Sequence, residues 1–219
     1  MSVLSRRQEE KEKRISDIKE SAWKIFLRDG FDNAKIADIA KDCRLGLSTL
    51  YYYFKDKRQI VYYLMLDFKQ ARNTALINLI EDNTSYREFL KGYIDVHLQD
   101  IERFKFFVLA DSYYNYHKQY DLNDPVLDQY DKITRKDGNY IISCLSQDCD
   151  ASGEARIRVG ISMILGFLRR YVLLPPKSWP KNIEETDEMF LNLHMMISLL
   201  FEDIGIDLDK VIDSPHMVI

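Results

Sequence analysis

Three consecutive tyrosines, Tyr51, Tyr52 and Tyr53, stand in a segment whose apolar spacing is helical, and no single buried face can hold all three. Successive residues of an α-helix are rotated by about 100°, so neighbours point in different directions. Leu47, Leu50 and Phe54 fall at i, i+3 and i+7 and make the inward stripe. Ser48, Thr49, Tyr52 and Tyr53 are left facing away from it. Upstream, Ile36, Ile39, Ala40 and Cys43 recur at i, i+3, i+4 and i+7, the stripe of a second amphipathic helix. Arg44, Leu45 and Gly46 leave room only for a turn, and Gly46 is an acceptable N-cap for the helix that begins at Leu47. Two short helices across such a turn read as a helix-turn-helix, whose second helix enters the DNA major groove. A phenol can donate to a phosphate oxygen or a base edge. Lys55 and Lys57 come directly after, and a lysine there suits a phosphate.

The stretch GFDNAKIADIAKDCRLGLSTLYYYFKDK resembles the DNA-binding signature of the Tet-repressor (TetR) family of bacterial transcription regulators. Gly30-Phe31, Ile39-Ala40, the run Thr49 to Phe54, and Lys57 carry the likeness, which covers about the first quarter of the chain. The resemblance implies that Leu47, Ser48, Thr49, Tyr51, Tyr52 and Tyr53 are DNA-facing. Thr49, Tyr53 and Lys57 would be phosphate contacts, and Leu47, Ser48 and Tyr52 would lie nearest base edges. Lys35 and Lys55 complete the expected DNA-binding set. Three positions depart from the family pattern. Arg44 and Ser48 stand where glycine is frequent, and Ala34 stands where a threonine commonly caps the first motif helix. If the residue at 44 needs a positive φ, a side chain there costs roughly 1 kcal/mol; a lost cap costs about as much.

The rest of the chain bounds the fold. With 219 residues, 46% of them hydrophobic, it can bury a sizeable core in one or two domains. Eight Gly, five Pro and long periodic stretches argue for an all-α protein. No apolar run reaches the roughly 18 residues of a membrane span. No signal peptide is visible in the charged opening residues. Cys43, Cys144 and Cys149 make no CxxC pair and no even framework, which fits a reducing cytoplasm. The charge is uneven. Residues 1–60 hold 14 basic against 10 acidic side chains, and the remaining residues hold 17 against 25. A basic head on an acidic body suits a protein that brings only its head to DNA.

In order along the chain, residues 1–10 are expected to be a frayed, solvated tail, from which Arg6 and Arg7 could reach DNA. A first helix is expected from about Gln8 to Asp29, with Ile15, Ile18, Ala22, Ile25 and Phe26 inward and Gly30 ending it. Asp56 is a good N-cap for a helix from Lys57 to Ile80. The pattern stays helical from Ser85 to about Tyr120, breaks at 121–125, and resumes from Pro125 to Leu145. Further helices are expected at 156–174 and 182–203. Both carry more apolar surface than one face needs. With their copies in a second chain they would make a four-helix dimer interface.

The expected architecture is therefore an N-terminal three-helix head (residues 1–56) and a C-terminal helical-bundle body (57–219). The expected function is that of a homodimeric repressor that binds a palindromic operator in double-stranded DNA. A small apolar or amphipathic effector entering the body would release it, as the family resemblance implies. Tyr93, His97, Phe107, Tyr113, Phe167 and Tyr171 are the candidates to line that pocket. The alternative is an architectural or cell-division DNA-binding factor of the same fold with no effector. The four histidines show no metal-ligand spacing. No catalytic motif, phosphate loop or cofactor fingerprint occurs, so neither an enzyme nor a cofactor is expected.

Overall fold

In the computed structural model the described residues are 3–81, 86–117, 124–147 and 150–173. They form eight helices and no strand: α1 (Val3–Asn33), α2 (Ile36–Asp42), α3 (Leu47–Tyr53), α4 (Lys57–Glu81), α5 (Tyr86–Leu98), α6 (Ile101–His117), α7 (Pro125–Leu145) and α8 (Ala151–Tyr171). The helix expected at 182–203 lies outside the described residues. These residues fall into two compact units, the first within Met1–Phe68 and Ala110–Tyr130, the second within Lys69–Leu109 and Asp131–Ile219.

In the first unit, α1 packs on α2 and α2 on α3. The expected stripes are buried: Ile18, Ala22, Ile25 and Phe26 from α1, Ile39 and Ala40 from α2, and Leu50 with Phe54 from α3 and its C-cap. Gly30 breaks α1 with φ 74°, a value glycine adopts freely. The chain then turns back so that the Phe31 ring lies 5.6 Å from that of Phe26. Lys19 of α1 pairs with Asp67 of α4 at 2.5 Å. Asp56 caps α4 by accepting from the Gln59 backbone N–H at 2.9 Å. The Gln59 side chain accepts in turn from the Lys55 N–H at 2.8 Å, a reciprocal arrangement akin to a capping box.

Three expectations need correction. Residues 3–10 are not a frayed tail, because α1 is helical from Val3. The helical stretch expected over 85–120 is two helices: Gln99 and Asp100 form a turn, and the Asp100 carboxylate accepts from the Arg103 N–H at 3.0 Å. Finally, α8 begins five residues earlier than expected, at Ala151, because Asp150 is its N-cap and accepts from the Gly153 N–H at 2.7 Å.

In the second unit α5 packs on α8. Its core includes Leu76, Phe89, Tyr93, Ile94, Phe104, Ile141, Ile164 and Leu168.

Candidate nucleic-acid interface

Seven residues make α3, and two positions anchor it: Leu50 and Phe54 are fully buried. The Phe54 ring meets Tyr63 of α4 edge-on at 5.3 Å. Gly46 is the N-cap, in extended conformation. The anchored face leaves the other side chains in i, i+4 pairs, neighbours on a helix surface: Leu47 with Tyr51, Ser48 with Tyr52, and Thr49 with Tyr53. Leu47, Ser48, Thr49, Tyr51 and Tyr52 are exposed and Tyr53 is half-buried. Tyr52 is the extreme case, with 76% of its surface in solvent. Its ring is steadied edge-on by Tyr53, with centroids 5.1 Å apart. Burying an aromatic ring is favourable by a few kcal/mol, so a helix this short that keeps several rings outside offers them to a partner.

Arg44 closes α2 with φ 56°, the left-handed conformation expected of a glycine at this place. Its backbone N–H still reaches the Lys41 carbonyl at 3.1 Å, so the turn forms despite the side chain. The cap argument for Ala34 does not hold. Lys35, not Ala34, is the N-cap of α2, and it makes no side-chain cap bond. Ala34 is buried instead.

Lys57 is engaged within the protein. Its ammonium donates to the backbone carbonyls of Phe31, Asp32 (3.1 Å) and Ala34 (3.0 Å). Those carbonyls come after the Gly30 break, where a helix end leaves acceptors without intrahelical partners. An ammonium has three protons, and here all three are directed at the link between α1 and α2. A phosphate contact would have to break that arrangement. Lys35 and Lys55 are exposed and remain available to an anion.

The sequence profile of the tetR family of bacterial regulatory proteins matches residues 18–64, from the core of α1 into α4. Over residues 18–64 the chain carries the TetR-family domain. Among related proteins, an HTH-type transcriptional regulator of Staphylococcus aureus (SAB2452) is 33% identical over 82 residues, which are 37% of this chain. The chain spans less than half, 44%, of that relative's length. The fold extends further than the sequence likeness. The TetR family transcriptional regulator PfmR from Thermus thermophilus is similar over 82% of this chain and 96% of its own, with a TM-score of 0.58 and 19% identity. AibR, crystallised with isovaleryl coenzyme A and operator DNA, is similar over 85% of this chain and 97% of its own, with a TM-score of 0.57 and 17% identity.

The expected pocket residues are only partly brought together. The Tyr93 and His97 rings meet at a tilt on α5 with centroids 4.4 Å apart, and His97 meets Phe104 edge-on at 4.9 Å. Arg72 of α4, which sequence reasoning passed over, joins them. Its guanidinium is buried, lies 3.4 Å from His97 Nε2 and sits over the Phe107 ring at 5.7 Å. Neighbouring Asn73 donates to Asp137 of α7 at 2.9 Å. The stripe Val61, Met65, Phe68 continued by one turn falls on Arg72, so its inward position was there to be read. His97 Nδ1 lies 2.7 Å from the Tyr93 carbonyl. Burial first, and the nearby Arg72 charge second, push its pKa down to about 3, so it is neutral near pH 7. Phe167 and Tyr171 stack with each other on α8 at 6.1 Å. Tyr113 falls in the first unit, its ring 5.7 Å from that of Phe31.

Among the described residues no group of His, Cys, Asp and Glu is arranged to hold a metal ion. No described helix is long and apolar enough to cross a membrane.

Proposed function

We propose that this protein is a sequence-specific DNA-binding transcriptional regulator, a repressor that leaves its operator when a small apolar or amphipathic molecule enters the body. The observation that carries the reading is the outer face of α3. Exposed Leu47, Ser48, Tyr51 and Tyr52 stand on a helix pinned by Leu50 and Phe54. In this reading Leu47, Ser48 and Tyr52 meet base edges, while Thr49, Tyr53, Lys35 and Lys55 meet phosphates. Lys57 holds the head in shape. The head comprises residues 1–56 and the body 57–219. AibR is a chain of the same fold that takes both a small-molecule thioester and operator DNA, which supports an effector for this body too. Tyr93, His97, Phe107, Phe167 and Tyr171 are its candidate contacts.

The working unit in this proposal is a homodimer formed by α8 and the segment 182–203. On α8, Val159, Met163 and Gly166 are exposed along one face, a stripe that a second copy would cover. A twofold protein reads inverted half-sites. Selection of bound duplexes from a random pool tests this. The expected result is a consensus of two inverted half-sites about one helical turn, or a multiple of it, apart. Recovery of tight binders with no consensus would replace the regulator with an architectural factor.

A further inference from the structure

From Arg6 to Arg14 α1 has no core beneath it: every side chain in that stretch is exposed. A helix that is polar all round needs support from pairs along its own surface or from something it bridges. One such pair is present, Gln8 Nε2 donating to Glu12 Oε1 at 2.7 Å. These turns are not remote from the recognition helix. Arg7, Lys11, Lys13 and Arg14 share an open cleft of about 740 Å³ with Tyr52 and Tyr53. Two carboxylates, Glu10 and Asp17, lie in the same wall, so the cleft keeps an excess of positive charge. None of the four basic side chains is held in an ion pair among the described residues. Arg7, Lys11 and Arg14 recur at i, i+4 and i+7, on one face of the helix, and span about 10 Å along its axis.

We propose that this cleft is a second DNA-binding element: it takes the sugar–phosphate backbone beside the groove that α3 reads. Arg7, Lys11 and Arg14 contact phosphates, and the Tyr52 and Tyr53 rings form the opposite wall. The inference rests on the DNA-binding reading of α3 and extends its footprint. Three features select phosphate over another partner. The cations are grouped on one face. Apart from the two tyrosine rings the lining is polar. And the cleft is continuous with Tyr52, so one duplex can touch both. Such contacts position a protein and carry no sequence information of their own.

The test compares the wild type with an R7Q/K11Q/R14Q variant by fluorescence anisotropy, on the wild type's preferred duplex and a scrambled one, over a series of salt concentrations. Glutamine keeps helix propensity while removing charge. The expected result is at least a tenfold loss of affinity near 0.1 M salt. The salt slope should fall by about 1 for each cation removed per head, and the ratio between the two duplexes should stay within about twofold. R7K/R14K, which keeps the charges, should retain the slope. Hydroxyl-radical footprinting should show flanking backbone protected by the wild type and open in the triple variant. Unchanged affinity, slope and footprint in the triple variant would overturn the proposal while leaving α3 as the reader. A changed duplex preference at constant slope would overturn it as well, by making these residues base readers. A wild type that binds neither duplex would remove both α3's role and the cleft's.

Discussion

Lys57 separates two physical roles that predict opposite outcomes for one substitution. As a phosphate contact, it would contribute to affinity and little to folding. In the structure its ammonium converges on three carbonyls at the break between α1 and α2. Lys57→Met keeps most of the aliphatic stem and removes the three donors. A hydrogen bond involving a charged group contributes about 1.5–3 kcal/mol. The full sum does not apply, because Lys57 is half-buried and the freed carbonyls near exposed Asp32 can rehydrate. A loss equal to one or two such bonds, about 2–4 kcal/mol, is the reasonable magnitude. For a chain of this size that lowers Tm by roughly 4–16 °C. Lys57→Arg should fall between, since a planar fork cannot aim three protons at converging carbonyls. Urea denaturation at fixed protein concentration measures the effect, with the salt dependence of DNA binding measured beside it under conditions where the variant is folded. A variant with an unchanged urea midpoint and a salt slope lower by about 1 would refute the reasoning and restore the phosphate role.

Other consequences arise from the same geometry. Arg44→Gly relieves a left-handed side chain at some cost in unfolded-state entropy, so it should raise stability by about 0.5–1 kcal/mol by urea denaturation. His97 is buried and neutral, with a pKa of about 3 against 6.5 in the unfolded chain. The unfolded state therefore binds a proton that the folded state refuses between those values. Stability should be intact above pH 6.5 and fall as pH drops below it, by roughly 1 kcal/mol per pH unit from this residue. His97→Gln should remove that component, seen by comparing the two pH–stability curves. Ser48→Ala and Tyr52→Ala should change which duplex is preferred by about tenfold or more while leaving the urea midpoint nearly unmoved.

What could be read from the residues, and what could not, divides along a physical line. Periodicity places a side chain on a face, so Leu50 and Phe54 inward and Tyr52 outward came from spacing alone, and Gly30 came from its backbone freedom. Arg44 was legible only through the family resemblance, whose frequent glycine at that place points to a positive φ. The end of a long side chain is different. Where an ammonium four carbons from the backbone comes to rest depends on carbonyls 23 to 26 residues away, and no local pattern encodes that. The same holds for Arg72, whose inward position was readable but whose partners on α5 and α6 were not. Helix starts were misjudged where capping overrides apolar rhythm: Asp100 splits an unbroken apolar stretch, and Asp150 starts α8 before its apolar stripe begins. The opening turns of α1 carry no stripe at all, so their helicity could not be inferred from periodicity.

The central claim is that the exposed face of α3 reads DNA sequence. The most direct measurement is the affinity of the purified protein for the duplex upstream of its own coding sequence, set against a scrambled duplex across a range of salt concentrations. The account predicts submicromolar binding that prefers the native duplex by about a hundredfold or more, with a steep salt slope. Equal affinity for both duplexes across that range, or none for either at low salt, would contradict it.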